Sequence, residues 1–267
     1  MPAEITINDT NAHEYAPGGS AVGGMMHGLI PRDFAQYPVG YLMCARRFDL
    51  PLIPESEWQS RLDVRIAAQA QLSDVRKRGN NGQPIPSRDQ NGRGYCWFHS
   101  GTSASLICRT INNEPYLDFS AYMGACLIKN YRDQGGWGSE GVEFIASTGV
   151  CTSEFWPQQS VSRSNDTPEM RNNAALHKFT EWRDLDPDNM KAQLVTCLLM
   201  GFPVVSDFNW WRHSVCTVDL VSIDPFKTRI WNSWGDSWSD NGMGLLEGRK
   251  AIPDGALVCL TQTPSVA

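Results

Sequence analysis

Four side chains, far apart in the chain, are of the types that together perform nucleophilic catalysis. Cys96 follows the turn Gln90-Asn91-Gly92-Arg93-Gly94 and opens a helical pattern. A helix N-terminus carries a partial positive charge and unpaired N–H groups, and both favour thiolate over thiol. Gln90, six residues upstream, can return its side-chain amide beside the sulfur. With the backbone N–H of Cys96 it would supply two donors to the oxyanion of an acyl-transfer intermediate. His213 begins the run His213-Ser214-Val215-Cys216-Thr217-Val218, where a strand start can aim an imidazole into a cleft. Within hydrogen-bond reach it would take the thiol proton. Asn232 comes nineteen residues later, with an amide oxygen suited to holding that ring's orientation and tautomer, and Trp234 can cover the bond. Singly, each has a plainer reading, as a small core cysteine, a solvated turn or a half-buried histidine.

These residues need two kinds of element behind them. Pro54-Glu55-Ser56-Glu57 suits a helix start, and Trp58, Leu62, Ile66 and Ala70 recur at a spacing of four up to Gly79-Asn80-Asn81-Gly82. From Cys96, the residues Trp97, Ala104, Ile107 and Cys108 share a helical face, closed by Asn112-Asn113. Further helices are predicted over Ser120–Tyr131, capped by Ser120, and Ser139–Thr148, capped by Ser139 and stopped by Gly149. Another runs from Asp186-Pro187-Asp188 to Gly201. Beyond Gly201 the texture changes to short β-rich runs: Val204-Val205, Val215–Val221, Arg229–Asn232, Gly242–Glu247 and Ala256–Thr261. Helices first and strands second argue for α+β rather than a doubly wound sheet.

The chain of 267 residues can hold one large domain or two modest lobes, and its 41% hydrophobic content marks it as globular. A net charge of -6, with Arg76-Lys77-Arg78 as the longest basic run, speaks against nucleic-acid or membrane-surface binding. The apolar run Leu194 to Val205 is too short to span a bilayer, and no secretory signal is read at the N-terminus. The eight cysteines include no CxxC pair, which disfavours a zinc ribbon, and the expectation is reduced thiols and no metal or cofactor. Residues 1–30 are rich in glycine and small polar residues, and 31–54 carry four prolines. Together they are expected to form an extended arm, ordered where it packs on something.

The combination Gln90-x5-Cys96-Trp97, then His213-Ser214-Val215, then Asn232-Ser233-Trp234-Gly235-x-x-Trp238-x-x-Asn241-Gly242 resembles the papain family of cysteine peptidases. Gly135-Gly136-Trp137-Gly138, with Ala146–Val150 and Phe155-Trp156-Pro157, is similar to the segment that lines the family's substrate cleft. The resemblance covers roughly residues 85 to 250. It implies a papain-like two-lobe α+β fold, with a helical left lobe (about 85–185), a β-rich right lobe (about 186–267) and a cleft between. It also implies Cys96, His213, Asn232 and Gln90 as catalytic residues, and Gly136, Trp137, Gly138, Arg212 and Trp234 as contacts to a polypeptide substrate. The family usually joins a cysteine three residues before the nucleophile to one in the glycine segment. Arg93 and Gly136 stand there in this chain, which fits a reducing, cytoplasmic setting. The family's proregion helix signature is not visible in residues 55–80, read as a helix and linker (55–84) packing on or guarding the catalytic domain. Disulfide-free proteins of this kind are also encoded by tailed bacteriophages, and Gly28–Phe34 is similar to their leading segment.

The expected activity is therefore a cysteine-type endopeptidase. The alternative is a virion-associated assembly protein that keeps the fold and binds other virion proteins, or a neighbouring copy, through residues 1–54. An amidase or acyltransferase using the same pair is a third reading. Arg212 either points inward, attracting acidic substrate side chains, or snorkels on the surface. His99, one helical turn after Cys96, reads as structural rather than as a second base, and Trp210-Trp211 as wall packing.

Overall fold

The computed structural model describes residues 4–23, 25–42 and 45–264. In chain order the elements are β1 (Thr6–Ile7), α1 (Ala12–Tyr15), β2 (Arg46–Arg47), α2 (Trp58–Ala67), α3 (Leu72–Arg78), α4 (Cys96–Ile111), α5 (Met123–Ile128), α6 (Gly138–Ser147) and α7 (Pro168–Ala175). They continue with β3 (Phe179–Asp184), α8 (Met190–Met200), β4 (Val204–Phe208), β5 (His213–Ser222), β6 (Lys227–Trp231), β7 (Met243–Glu247) and β8 (Gly255–Gln262). The strands form one eight-stranded sheet in the order β1-β7-β6-β5-β4-β8-β3-β2.

Two apolar cores lie on the two faces of this sheet. One gathers Trp97, Phe98, Ile107, Trp156, Val205, Cys216 and Trp231 under α4 and α6. The other gathers Trp58, Leu194, Leu198, Val204, Phe208, Val215 and Leu246 under α2 and α8. Strand alternation supplies both: in β4, Val204 and Phe208 face one core while Val205 faces the other. The register shift in β5 between Thr217 and Asp219 changes which parity points where, so Val218 joins the first core and Leu220 the second.

Helix α4 is buried at every position from Cys96 to Arg109 and packs between α6 and the sheet. It ends at Ile111, followed by Asn113 in the left-handed region. Gly201, also left-handed, terminates α8 as its sequence suggests.

Elsewhere the boundaries move. The single face predicted from Trp58 to Ala70 is two helices, broken at Gln69 with positive φ. Trp58 and Leu62 are buried but Ile66 is half exposed. Ser120 does not cap α5, whose N-cap is Tyr122, and Ser139 lies inside α6, where Glu140 reaches back to the Trp137 N–H (3.0 Å). Strand β3 falls within the stretch expected to be helical because its partner, β8, is remote in sequence. The segment 1–54 is more than an arm: β1 pairs parallel with β7, and β2 with β3, closing both edges of the sheet. Cys44 lies outside the described residues.

Candidate active site

The histidine and the asparagine meet through sheet register. Strands β5 and β6 pair antiparallel with Cys216 opposite Trp231. Extending that register by three positions sets Asn232 opposite Val215 and Trp234 opposite His213, on one face. His213 Nε2 lies 2.7 Å from Asn232 Oδ1. The same oxygen accepts the Ser233 backbone N–H (2.8 Å), which fixes which end of the carboxamide faces the ring. Nε2 therefore donates, and in the neutral imidazole Nδ1 is the bare nitrogen. Nδ1 is buried and has no hydrogen-bond partner among the described residues. Trp234 stacks on the imidazole (4.7 Å between centroids, 30°), and Trp211, tilted by 60°, packs against both rings (4.8 Å from the imidazole).

Cys96 reaches the same place from α4. The backbone N–H groups of Ser214, Gly28 and Trp97 lie near its sulfur and favour its thiolate. Ser214 follows His213 directly, and its hydroxyl bonds that of Ser100, one turn along α4 (2.9 Å), tying the helix start to the strand start. The turn holding Gln90 is pinned to the asparagine segment: Gln90 N–H donates to Ser233 O (2.9 Å), and Ser233 Oγ donates to Gln90 Oε1 (2.6 Å). Arg93 and Asp133 form an ion pair (3.9 Å), and Asp133 also accepts the Gly94 N–H (2.8 Å). This carboxylate links the turn to the glycine segment in place of a disulfide. All seven cysteines among the described residues are free.

The cleft is occupied by the chain's own N-terminal segment. Gly28 O accepts from Gly136 N (2.9 Å), and Ile30 N donates to Gly136 O (3.1 Å), so Leu29 runs parallel to Gly136. The Gly28 and Leu29 N–H groups both donate to Arg212 O (3.1 and 2.9 Å). Met26 O accepts from Gln90 Nε2 (2.8 Å) and Trp234 Nε1 (3.3 Å). A Cβ on Gly28 would overlap the Gly94 carbonyl, so only glycine passes here. His27 sets its ring edge-on to both His213 and Trp234.

This cover dries the site, and water is what charged groups lose. Burial pushes the Cys96 thiol up to about 12, against the three N–H groups that favour its thiolate. Burial also brings the His213 imidazole down to about 3, against the Asn232 hydrogen bond that favours its cation. Under the arm the pair is a neutral thiol beside a neutral imidazole.

The remaining residues singled out in the sequence divide between chain contact and scaffold. Gly136 engages the occupying chain through both its N–H and its carbonyl. Trp137 is the N-cap of α6 and packs on Tyr37 of the N-terminal segment (4.6 Å). Gly138 spends its N–H on Asp207 Oδ2 (3.0 Å). The Arg212 side chain is exposed, and it is the backbone carbonyl, with φ +53°, that meets the occupying chain. His99 is buried against Tyr122, and desolvation lowers its pKa to about 3, fitting a neutral core residue. Asp207 and Ser214 escaped the sequence reading. A carboxylate inside the apolar run Val204–Phe208 was the available signal.

No family model matches the sequence. Among curated proteins, zingipain-1 of Zingiber officinale is 22% identical over 195 residues, spanning 65% of this chain and 87% of its own length. Among solved structures, xylellain, a cysteine protease from Xylella fastidiosa, superposes with a TM-score of 0.60 at 18% identity, covering 90% of this chain and 96% of its own. A digestive procathepsin L2 proteinase from Tenebrio molitor gives 0.58 at 18% identity, covering 92% and 80%. The chain therefore has the α+β fold of the papain-like cysteine proteases.

Proposed function

We propose that this protein is a cysteine-type endopeptidase in which Cys96 attacks, His213 moves the proton, Asn232 orients the ring and Gln90 stabilises the oxyanion. The observation that carries this reading is the polarity of the His213 ring. Its Nε2 is committed to the Asn232 oxygen, leaving Nδ1 bare on the residue next to Ser214, whose backbone lies near the Cys96 sulfur. Met26 O, accepting from Gln90 Nε2, stands in for a substrate carbonyl.

In the reaction, Nδ1 takes the S–H proton as the sulfur bonds to the scissile carbonyl carbon. The resulting oxyanion accepts from Gln90 Nε2 and the Cys96 N–H. Collapse breaks the C–N bond, and the imidazolium returns its proton to the leaving amine. Water then attacks the thioester while Nδ1 takes its proton, and the departing sulfur recovers that proton as the acid leaves. Gly136 and the Arg212 carbonyl hold the substrate backbone as they now hold residues 28–30, and Trp234 shields the His213–Asn232 bond.

In this reading residues 1–54 act as a cover, 55–84 as a brace and 85–267 as the catalytic unit. The bond from Gln90 to Met26 and the paired backbone at Gly136 support a latent enzyme rather than the virion-assembly alternative, because the segment is engaged by its own chain. The test is hydrolysis of an unstructured polypeptide by the full chain carrying Gly28→Ala, which cannot seat the cover. Adding Cys96→Ala should abolish cleavage. Cleavage that survives would refute Cys96 as nucleophile.

A further inference from the structure

Where α2 and α3 meet the far end of α4 lies an open cavity of about 760 Å³. Helix α4 runs from Cys96 to Ile111, so this cavity stands about 22 Å along the helix from the nucleophile end, outside the cleft. Two guanidiniums line it, those of Arg65 and Arg78. The break between α2 and α3 holds both: Arg65 donates to the Ala70 carbonyl and Arg78 to the Gln69 carbonyl (3.5 Å). Carbonyls at a helix end attract cations. Each guanidinium spends one of its five donors there, and neither forms an ion pair among the described residues. Burial lowers the Arg65 pKa, and Asp219, whose charge opposes that shift, is already engaged by Arg229 and by the Leu72 and Ser73 N–H groups. Glu114, the only acid in the lining, pairs with the buried Arg109 (3.8 Å). The cavity is a cationic site without its counter-charge.

Apolar surface accompanies the charge. Ile111 and Met200 also line the cavity and stay 39% and 43% exposed. Ile66, placed by its spacing on the buried face of one long helix, is left half exposed where that helix stops. Large apolar side chains in water beside unpaired guanidiniums match a ligand that has both characters.

We propose that this cavity docks an acidic linear segment of a partner polypeptide, with Asp or Glu flanked by aliphatic or aromatic residues. A carboxylate accepts two parallel N–H bonds from a guanidinium. Ile111 and Met200 cover the flanking apolar side chains, which a free phosphate or a small dicarboxylate lacks. A span of about seven extended residues separates this site from Cys96, so cleft and cavity can be occupied together.

The probe is a short fluorescein-labelled peptide with two glutamates set among leucines, titrated by anisotropy into the full chain carrying Cys96→Ala, cover in place. A copy with glutamine for glutamate should bind about tenfold more weakly, and so should a copy with serine for leucine. Raising salt from about 0.05 M to about 0.5 M should weaken the glutamate peptide and leave the glutamine copy unchanged. Arg78→Gln alters an exposed side chain and should cost about two- to fivefold, the scale of an exposed ion pair; Arg65→Gln, at a half-buried site, should cost about tenfold. The double variant should bind both peptides alike. Equal binding of the glutamate and glutamine peptides, or full affinity in the double variant, overturns the proposal. Succinate that binds as tightly as the peptide would make this a small-anion site and overturn it too. A dimer of the chain that Arg78→Gln dissolves, seen by sedimentation, would make a second copy the occupant and equally overturn it.

Discussion

Asn232 gathers two donors on one oxygen, the Ser233 N–H and His213 Nε2, and so sets the tautomer that leaves Nδ1 free. Removing the carboxamide frees the ring to turn and to exchange tautomers. Asn232→Ala, in a chain whose cover is disabled by Gly28→Ala, should lower kcat/KM by about ten- to a hundredfold, matching the loss of roughly 1.4–2.7 kcal/mol from a hydrogen bond to a charged ring. Steady-state kinetics on one peptide checks this; a change smaller than about twofold would mean that packing by Trp211 and Trp234 alone holds the imidazole. At this scale much was legible in the sequence. Cysteine, histidine, asparagine and glutamine carry their chemistry in their types, and the turn before Cys96 marks the helix start. Asp207 was harder to read, because an acid in a strand declares its burial without declaring what it faces. His213 Nδ1 could not be read at all, since the hydrogen bond that frees it depends on register between two strands.

The elements that position these side chains were legible unevenly. Helices α4 and α8 carry strong apolar patterns and clear stops. Strand β3 and the edge strands β1 and β2 owe their existence to partners far along the chain, which local pattern cannot reveal. The covering segment is the extreme case. It is held at Gly136 and Arg212 by backbone groups alone, so no side-chain type announces the pairing. Its firmest side-chain anchor is Arg32, whose guanidinium is buried against Asp184, with the Gly40 N–H on the same carboxylate (2.9 Å). Arg32→Ala leaves Asp184 buried without its cation. Breaking such a pair costs about 3–5 kcal/mol, and here the loss is relieved by release of the segment. The expected outcome is faster proteolytic nicking within residues 25–42 together with faster alkylation of Cys96, while the global unfolding midpoint changes little. Unchanged nicking and alkylation would place the anchor elsewhere.

At the scale of the whole molecule, a sheet with a core on each face brings a helix start and a strand start together in a cleft, and the chain's own N-terminal segment lies across them. The central claim is that this cover holds Cys96 and His213 as a neutral, dry pair, and that removing it releases a reactive one. The direct measurement is the rate of Cys96 alkylation by a small haloacetamide against pH, in the unaltered chain, in Gly28→Ala and in Gly28→Ala with His213→Ala. Under the cover, the thiol raised to about 12 and the imidazole lowered to about 3 are both neutral across the physiological range. The unaltered chain should therefore react slowly, its rate rising about tenfold per pH unit as thiolate appears, with no plateau near neutrality. Gly28→Ala should react fast near neutral pH with a plateau, and the added His213→Ala should remove the plateau and restore the steep rise. Equal rates and equal pH profiles in all three chains would contradict the account.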